Sequence, residues 1–193
     1  MPQYSMMPKW LRKLVFKPEV RPTEPDLRLG DAVLAMQKEL GERVPMVNNG
    51  GCGLFASVFS DELDRLNVKN SIVFLLDVEP DKLVDRANNL RNGNDVPNEE
   101  DRVNIAPHHA MVKVHNADGT VRWVDGHCSY AEEPIIDGKR LNSVEIDKVL
   151  MPTVLEKGGW NTKFDRRKKG HETRQIVLKY MRRTISYSKE TNT

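Results

Sequence analysis

The sequence lacks most of the features that would assign it to a specialised class. It contains two cysteines in 193 residues, too few for the disulfide framework of a small secreted protein, so a reducing compartment is the default expectation. No apolar run is long enough to span a membrane, and the N-terminus lacks the pattern of a secretory signal. We therefore expect a cytoplasmic location, which for a viral protein would be the host cytoplasm.

Internal repeats, low-complexity tracts and recognised nucleic-acid-binding motifs are also missing. The spacing of Cys52, His109, His127 and Cys128 fits no common zinc pattern, so we expect neither a metal nor another cofactor. The content of 38% hydrophobic and 30% charged residues suits a globular protein, and the length suits one domain with its own core.

Charge is unevenly distributed, although the net charge is only +2. Residues 61–110 carry eleven acidic and six basic side chains, whereas residues 151–193 carry eleven basic and four acidic ones. The basic run Lys163–Lys169 precedes a helix-like segment, Glu172–Ile185, that could dock on the core through apolar side chains. Two interpretations remain open for this region: a solvated basic surface, or contact with nucleic acid or an acidic partner.

The chain divides into three regions. Five prolines break residues 1–25 into an N-terminal arm, residues 26–160 form the central domain, and residues 161–193 form a basic C-terminal helix and tail. Within the central domain, apolar periodicity and turn residues predict secondary structure. The predicted elements are a helix over Asp26–Leu40 ended by Gly41, a strand over Ser71–Leu76, a helix over Asp81–Leu90, a surface loop over Asn92–Pro107 and a helix over Ser143–Leu150.

Cys52 lies in the most informative segment, among glycines and immediately before an apolar run with helical spacing. Glycines permit a sharp turn and close approach of a substrate, and a helix N-terminus favours the thiolate, the form that attacks carbonyl carbon. A lone cysteine is more often a small buried hydrophobe. A catalytic role therefore requires a histidine and a residue that orients it.

His109 and Asp125 lie on two segments that read as a β-hairpin, with a reversal over Asn116–Gly119. Both side chains share a face only if paired residue numbers sum to an even value. A sum of 234 places His109 opposite Asp125, and a sum of 236 places them on a diagonal, still within side-chain reach.

Cysteine at a helix start, a strand beginning His-Ala-x-Val-x-Val and a strand ending Trp-Val-Asp together resemble the core of the papain-like cysteine peptidase fold, in particular its transglutaminase-like branch. The resemblance covers residues 48–125. It implies an α+β fold in which an N-terminal helix carrying the cysteine packs on an antiparallel sheet carrying histidine and aspartate. It also implies Cys52 as nucleophile, His109 as general base and then acid, and Asp125 as the orienting residue.

The oxyanion and substrate-binding part of the site is expected to involve Asn48, Asn49, Gly51 and His108. Papain-like enzymes often carry a glutamine a few residues before the cysteine, and this chain has none. Asn48 or Asn49 can supply the donor with the Cys52 N–H, or both asparagines can simply occupy turn positions. Adjacent strand residues point to opposite faces, so only one of His108 and His109 can meet the cysteine, and the motif favours His109.

These residues predict a thiol peptidase, an amidase or a related acyltransferase that forms a thioester acyl-enzyme. Water as the second nucleophile gives hydrolysis of a protein or peptide-like amide, and an amine gives acyl transfer. Two alternatives come from other classes. One is an idle papain-like binding or assembly module that uses the basic C-terminal region, and the other is a nucleic-acid binder, which the lack of a known motif disfavours.

Overall fold

The computed structural model describes residues 28–76, 108–136, 138–152 and 168–184. The N-terminal arm of residues 1–25, the predicted helix Asp81–Leu90 and the predicted loop Asn92–Pro107 lie outside the described residues. Within them, the chain forms three α-helices: α1 (Leu29–Arg43), α2 (Cys52–Arg65) and α3 (Lys168–Met181). The strands are β1 (Asn70–Leu76), β2 (His109–His115), β3 (Val121–Val124), β4 (Ser129–Tyr130) and β5 (Asn142–Ile146), followed by a 3₁₀ turn at Lys148–Leu150.

All strand pairings in the described sheet are antiparallel, in the order β4-β3-β2-β1-β5. The α+β class expected from the sequence is therefore confirmed. The hairpin pairs Val112 with Val124 and His115 with Val121, which is the even register with a sum of 236. Its reversal places Gly119 at a φ of +84°, a conformation that glycine adopts without the steric penalty of a Cβ.

Helix α2 packs on β1 and β2, and its buried side chains form the centre of the core. Phe55 and Phe59 are both fully buried, with ring centroids 5.4 Å apart. Alternate residues of the strands face this helix layer, including Phe74 of β1 and Val112 of β2. The opposite face of the sheet carries a second apolar cluster: Val73, Leu75, Met111, Trp123 and Leu141. Both faces of the sheet are thus apolar, so the side chains that alternate along its central strands are buried on either side.

Helix α3 packs against both α1 and α2 and contributes to the same core. Ile176, Val177 and Met181 are buried and Tyr180 packs beside them. The helix-like segment predicted over Glu172–Ile185 therefore docks on the core through apolar side chains, although the helix begins and ends earlier than predicted.

The predicted end of α1 is wrong. Helix α1 does not end at Gly41 but continues to Arg43, and the Val44 N–H still donates to the Leu40 carbonyl at 2.7 Å. Pro45 then follows, and proline both lacks an N–H and disfavours the helical conformation at the residue before it.

The helix predicted over Ser143–Leu150 is a strand followed by a 3₁₀ turn. Residues 142–146 pair along the edge of β1, from Leu76 with Asn142 to Ile72 with Ile146. The backbone groups of β1 on that side need partners, and this pairing outweighs the weak helical spacing of the apolar residues.

Candidate active site

Cys52 is the first residue of α2, and two glycines shape its approach. Gly50 has a φ of +92°, in the left-handed region that other residues adopt only with strain. Gly51 is the N-cap, and its carbonyl accepts from the Phe55 N–H at 3.0 Å. The first N–H groups of a helix have no partner within it, so the Cys52 thiol lies beside backbone donors. Cys52 is 7% exposed.

His109 is the first residue of β2 and is 6% exposed. Its Nε2 lies 3.1 Å from Oδ2 of Asp125, and its ring is also hydrogen-bonded to the Cys52 side chain. Because Nε2 faces the carboxylate, Nδ1 is the nitrogen left for the thiol. Burial opposes the charged ring, but the hydrogen bonds to Asp125 and Cys52 outweigh it and raise the pKa of His109 to about 9. The imidazolium form is thus favoured at neutral pH.

Asp125 directly follows β3 and is almost completely buried. Its Oδ1 accepts from the N–H groups of His127 at 2.7 Å and Cys128 at 2.8 Å, while Oδ2 faces His109. Burial alone would raise the pKa of this carboxyl. Hydrogen bonds from His109, from the Asn48 side chain and from the two N–H groups outweigh burial and lower it. Asp125 is therefore held as a carboxylate inside the protein.

The three predicted residues are accordingly brought together in the order thiol, imidazole, carboxylate. The diagonal placement of His109 and Asp125 follows from the hairpin register, as the parity of the residue numbers predicted. His108 is exposed, and its N–H donates to the Leu75 carbonyl at 2.9 Å. His109, and not His108, is the histidine in contact with Cys52.

Asn48 and Asn49 are in different surroundings. Asn49 is exposed, and its N–H donates to the Met46 carbonyl at 2.9 Å within the turn. Asn48 is half-buried, and both ends of its side-chain amide are engaged next to Asp125: the nitrogen donates to the carboxylate, and Oδ1 accepts from the Gly126 N–H at 3.2 Å. The Asn48 amide is thus directed at the acid of the site.

Gln37 is a further residue of the site that the sequence did not reveal. It lies on the buried face of α1, is 5% exposed, and donates through Nε2 to the backbone carbonyl of Asp125 at 3.0 Å. The same nitrogen lies 3.2 Å from Oγ of Ser129. A glutamine in the apolar phase of a helix is the only local signal, since a buried amide requires hydrogen-bond partners.

The other candidate ligands and partners are arranged differently. Cys128 is exposed, and the described residues contain no group of three or more His, Cys, Asp or Glu side chains able to hold a metal ion. No helix among the described residues is long and apolar enough to cross a membrane.

Two ion pairs of opposite polarity join α3 to α1. Lys179 Nζ of α3 lies 2.6 Å from Glu39 of α1, and the Arg43 guanidinium of α1 lies 2.8 Å from Glu172 of α3. These pairs help to hold α3 against α1, and the first partly neutralises Lys179. The predicted run Lys163–Lys169 falls largely outside the described residues.

No family model, curated protein or solved structure matches this chain. Its chemistry must therefore be inferred from its own geometry. A thiol in contact with a charged imidazole, with a buried carboxylate behind the ring, is an arrangement suited to nucleophilic attack at a carbonyl.

Proposed function

We propose that this chain is a cysteine-dependent hydrolase, a peptidase or amidase, built on a papain-like core of the transglutaminase-like branch. The observation that carries the proposal is the continuous hydrogen-bonded series from Cys52 through His109 to Asp125. Each member lies at the end of a helix or strand of the core, so packing holds all three. The convergence of three chemically suited residues supports a nucleophilic triad.

The first half of the reaction forms an acyl-enzyme. His109 holds the proton of Cys52 as an imidazolium, and the thiolate adds to the substrate carbonyl carbon, moving the π electrons onto oxygen. The Cys52 N–H, which has no partner within the helix, is a donor for that oxyanion. When the tetrahedral intermediate collapses, the C–N bond breaks and His109 gives its proton to the leaving amine.

The second half releases the product. Water loses a proton to His109 as its oxygen adds to the thioester carbon, and collapse breaks the C–S bond, releasing a carboxylic acid and restoring the thiolate–imidazolium pair. An amine in place of water gives acyl transfer by the same steps. Asp125 stays ionised throughout and stabilises the imidazolium.

The two cysteines provide a test in which accessibility and activation predict opposite orders of labelling. Cys128 is exposed and Cys52 is 7% exposed, so accessibility alone favours Cys128. An activated thiol reacts faster when other cysteines are protonated. We expect iodoacetamide at mildly acidic pH to modify Cys52 first, as read by peptide mass spectrometry.

His109→Ala should abolish this preference, because the thiol loses its proton acceptor. His115→Ala is the matched control, since it removes a histidine at the other end of the same strand. Labelling of Cys128 alone in the wild-type protein would contradict the proposal and favour an idle binding module with the same fold.

A further inference from the structure

Asn48 joins two parts of the site that are far apart in sequence. It lies four residues before Cys52, in the loop that leads into α2. Its side-chain nitrogen donates to the Asp125 carboxylate, and its Oδ1 accepts from the Gly126 N–H at 3.2 Å. One amide therefore connects the loop of the nucleophile to the turn of the acid.

Apart from His109, which faces Oδ2 from β2, the other donors to Asp125 do not make this connection. The N–H groups of His127 and Cys128 belong to the same turn as Asp125, so they orient the carboxylate only relative to its own backbone. Gln37 reaches the Asp125 backbone carbonyl from α1 and does not contact the carboxylate through that bond. Asn48 relates the carboxylate itself to the segment that carries the thiol.

The turn that contains Gly126 packs closely against the loop that contains Val47 and Asn48. A Cβ added at Gly126 would lie 2.5 Å from Cγ1 of Val47 and 3.1 Å from Oδ1 of Asn48. Val47 is fully buried, so the loop is anchored in the core at the residue before Asn48. The backbone of the acid's turn and the loop are thus in direct contact.

From this geometry we infer that Asn48 is a positioning residue that holds the Asp125 carboxylate at the distance from the Cys52 loop at which His109 bridges thiol and acid. The inference rests on the proposed function. It assigns Asn48 to the support of Asp125 rather than to the oxyanion of the substrate. A substitution of Asn48 is therefore expected to act by changing the charge state of the site.

Asn48→Asp tests this role because it keeps the side-chain shape and the oxygen that accepts from Gly126. Only the nitrogen that faces Asp125 becomes an oxygen. Two carboxylates in contact cannot both ionise without strong repulsion, so the pKa of one of them is raised well above its ordinary value. While that proton is present the variant still donates to Asp125, and once it is lost the two side chains repel each other.

The measurement is the second-order rate of Cys52 alkylation by iodoacetamide in a Cys128→Ser background, as a ratio of variant to wild type at each pH. For Asn48→Asp the ratio should fall by about tenfold or more between about pH 5 and pH 9. For Asn48→Ala, which has no donor at any pH, it should be low throughout. Asn142→Asp adds the same charge at an exposed position of β5 and should leave the ratio near one.

A ratio near one for both Asn48 variants, or equal reductions that do not change with pH, would overturn the positioning role. The proposed function fails in a different way: wild-type alkylation of Cys52 would then be unaffected by His109→Ala. A wild-type rate that depends on His109 but not on Asn48 refutes the positioning role alone. If Asn48→Asp does not fold, Asn48→Ala still tests the inference. Alkylation of Cys52 in Asn48→Ala at the wild-type rate would contradict the positioning role.

Discussion

The raised pKa of His109 predicts a contribution to stability that depends on pH. In an unfolded chain histidine titrates near 6.5, and in the folded protein the pKa of His109 is about 9. Below about pH 6.5 both states carry the charge, and the stabilisation is fully present. As pH rises through about 9 the folded state loses its proton and this stabilisation is lost. The difference between the two pKa values corresponds to at most about 3 kcal/mol.

His109→Gln removes the titrating group and isolates this contribution. The free energy of unfolding, measured by urea denaturation, should differ most between wild type and variant near about pH 6, and the difference should shrink by up to about 3 kcal/mol toward about pH 10. A Cys52→Ala background should reduce this change without abolishing it. Of the two hydrogen bonds that raise the pKa of His109, the one to Asp125 is the larger cause.

His115→Gln is the control for loss of a histidine from the same strand. The raised pKa of His109 would be refuted if the difference in free energy of unfolding between wild type and His109→Gln stayed constant from about pH 6 to about pH 10. The folded protein would then hold no more charge on His109 than the unfolded chain does, and the imidazolium could not be stabilised by Asp125 and Cys52.

Two further predictions concern packing and the α1–α3 interface. Gly126→Ala places a Cβ 2.5 Å from the buried Val47 and should destabilise the protein by about 1–3 kcal/mol in urea denaturation. The control, Gly41→Ala, adds a Cβ that meets no atom within 4 Å and should stabilise the protein by about 0.5–1 kcal/mol. Equal effects of the two substitutions would contradict the close packing at Gly126. Burial would raise the pKa of Glu39, but hydrogen bonds led by that from Lys179 lower it to about 2. Its stabilising contribution should therefore be present above about pH 4.5 and be lost as pH falls through about 2, so Glu39→Gln should lower the melting temperature at neutral pH and lose this effect in acid.

The parts of the fold that the sequence predicted are those with a local signal. Apolar residues at helical spacing located α1, α2 and α3, because each of these helices buries one face. The reversal over Asn116–Gly119 located the hairpin. Of the two registers that would place His109 and Asp125 on one face, one occurs. Cys52, His109 and Asp125 were selected by the glycines before the helix, the two strand motifs and the resemblance that these carry, and their catalytic roles stay a prediction.

What the sequence did not predict depends on contacts between distant residues. Residues 142–146 become a strand because the edge of β1 needs backbone partners, a demand invisible in the segment itself. Gln37 bonds Asp125 across 88 residues of sequence, and Asn48 bonds the neighbouring Gly126 across 78 residues. The sequence pattern around a polar side chain in a loop or on a helix does not indicate its hydrogen-bond partner. The contacts of Gln37 and Asn48 could therefore be found only in the folded structure.

The support of Asp125 also bears on how the site tolerates change. Gln37 belongs to α1, Asn48 to the loop before α2, and the remaining donors to the turn after β3. Three separate elements thus meet at Asp125, α1 at its backbone carbonyl and the other two around its side chain. Helix α2, which carries Cys52, packs directly on β1 and β2. A displacement of any of these elements moves the carboxylate relative to the thiol, because close-packed interiors transmit shifts instead of absorbing them. Core substitutions far from Cys52 should therefore reduce its reactivity before they unfold the protein, since a nucleophilic triad loses its function when its members move by about 1 Å.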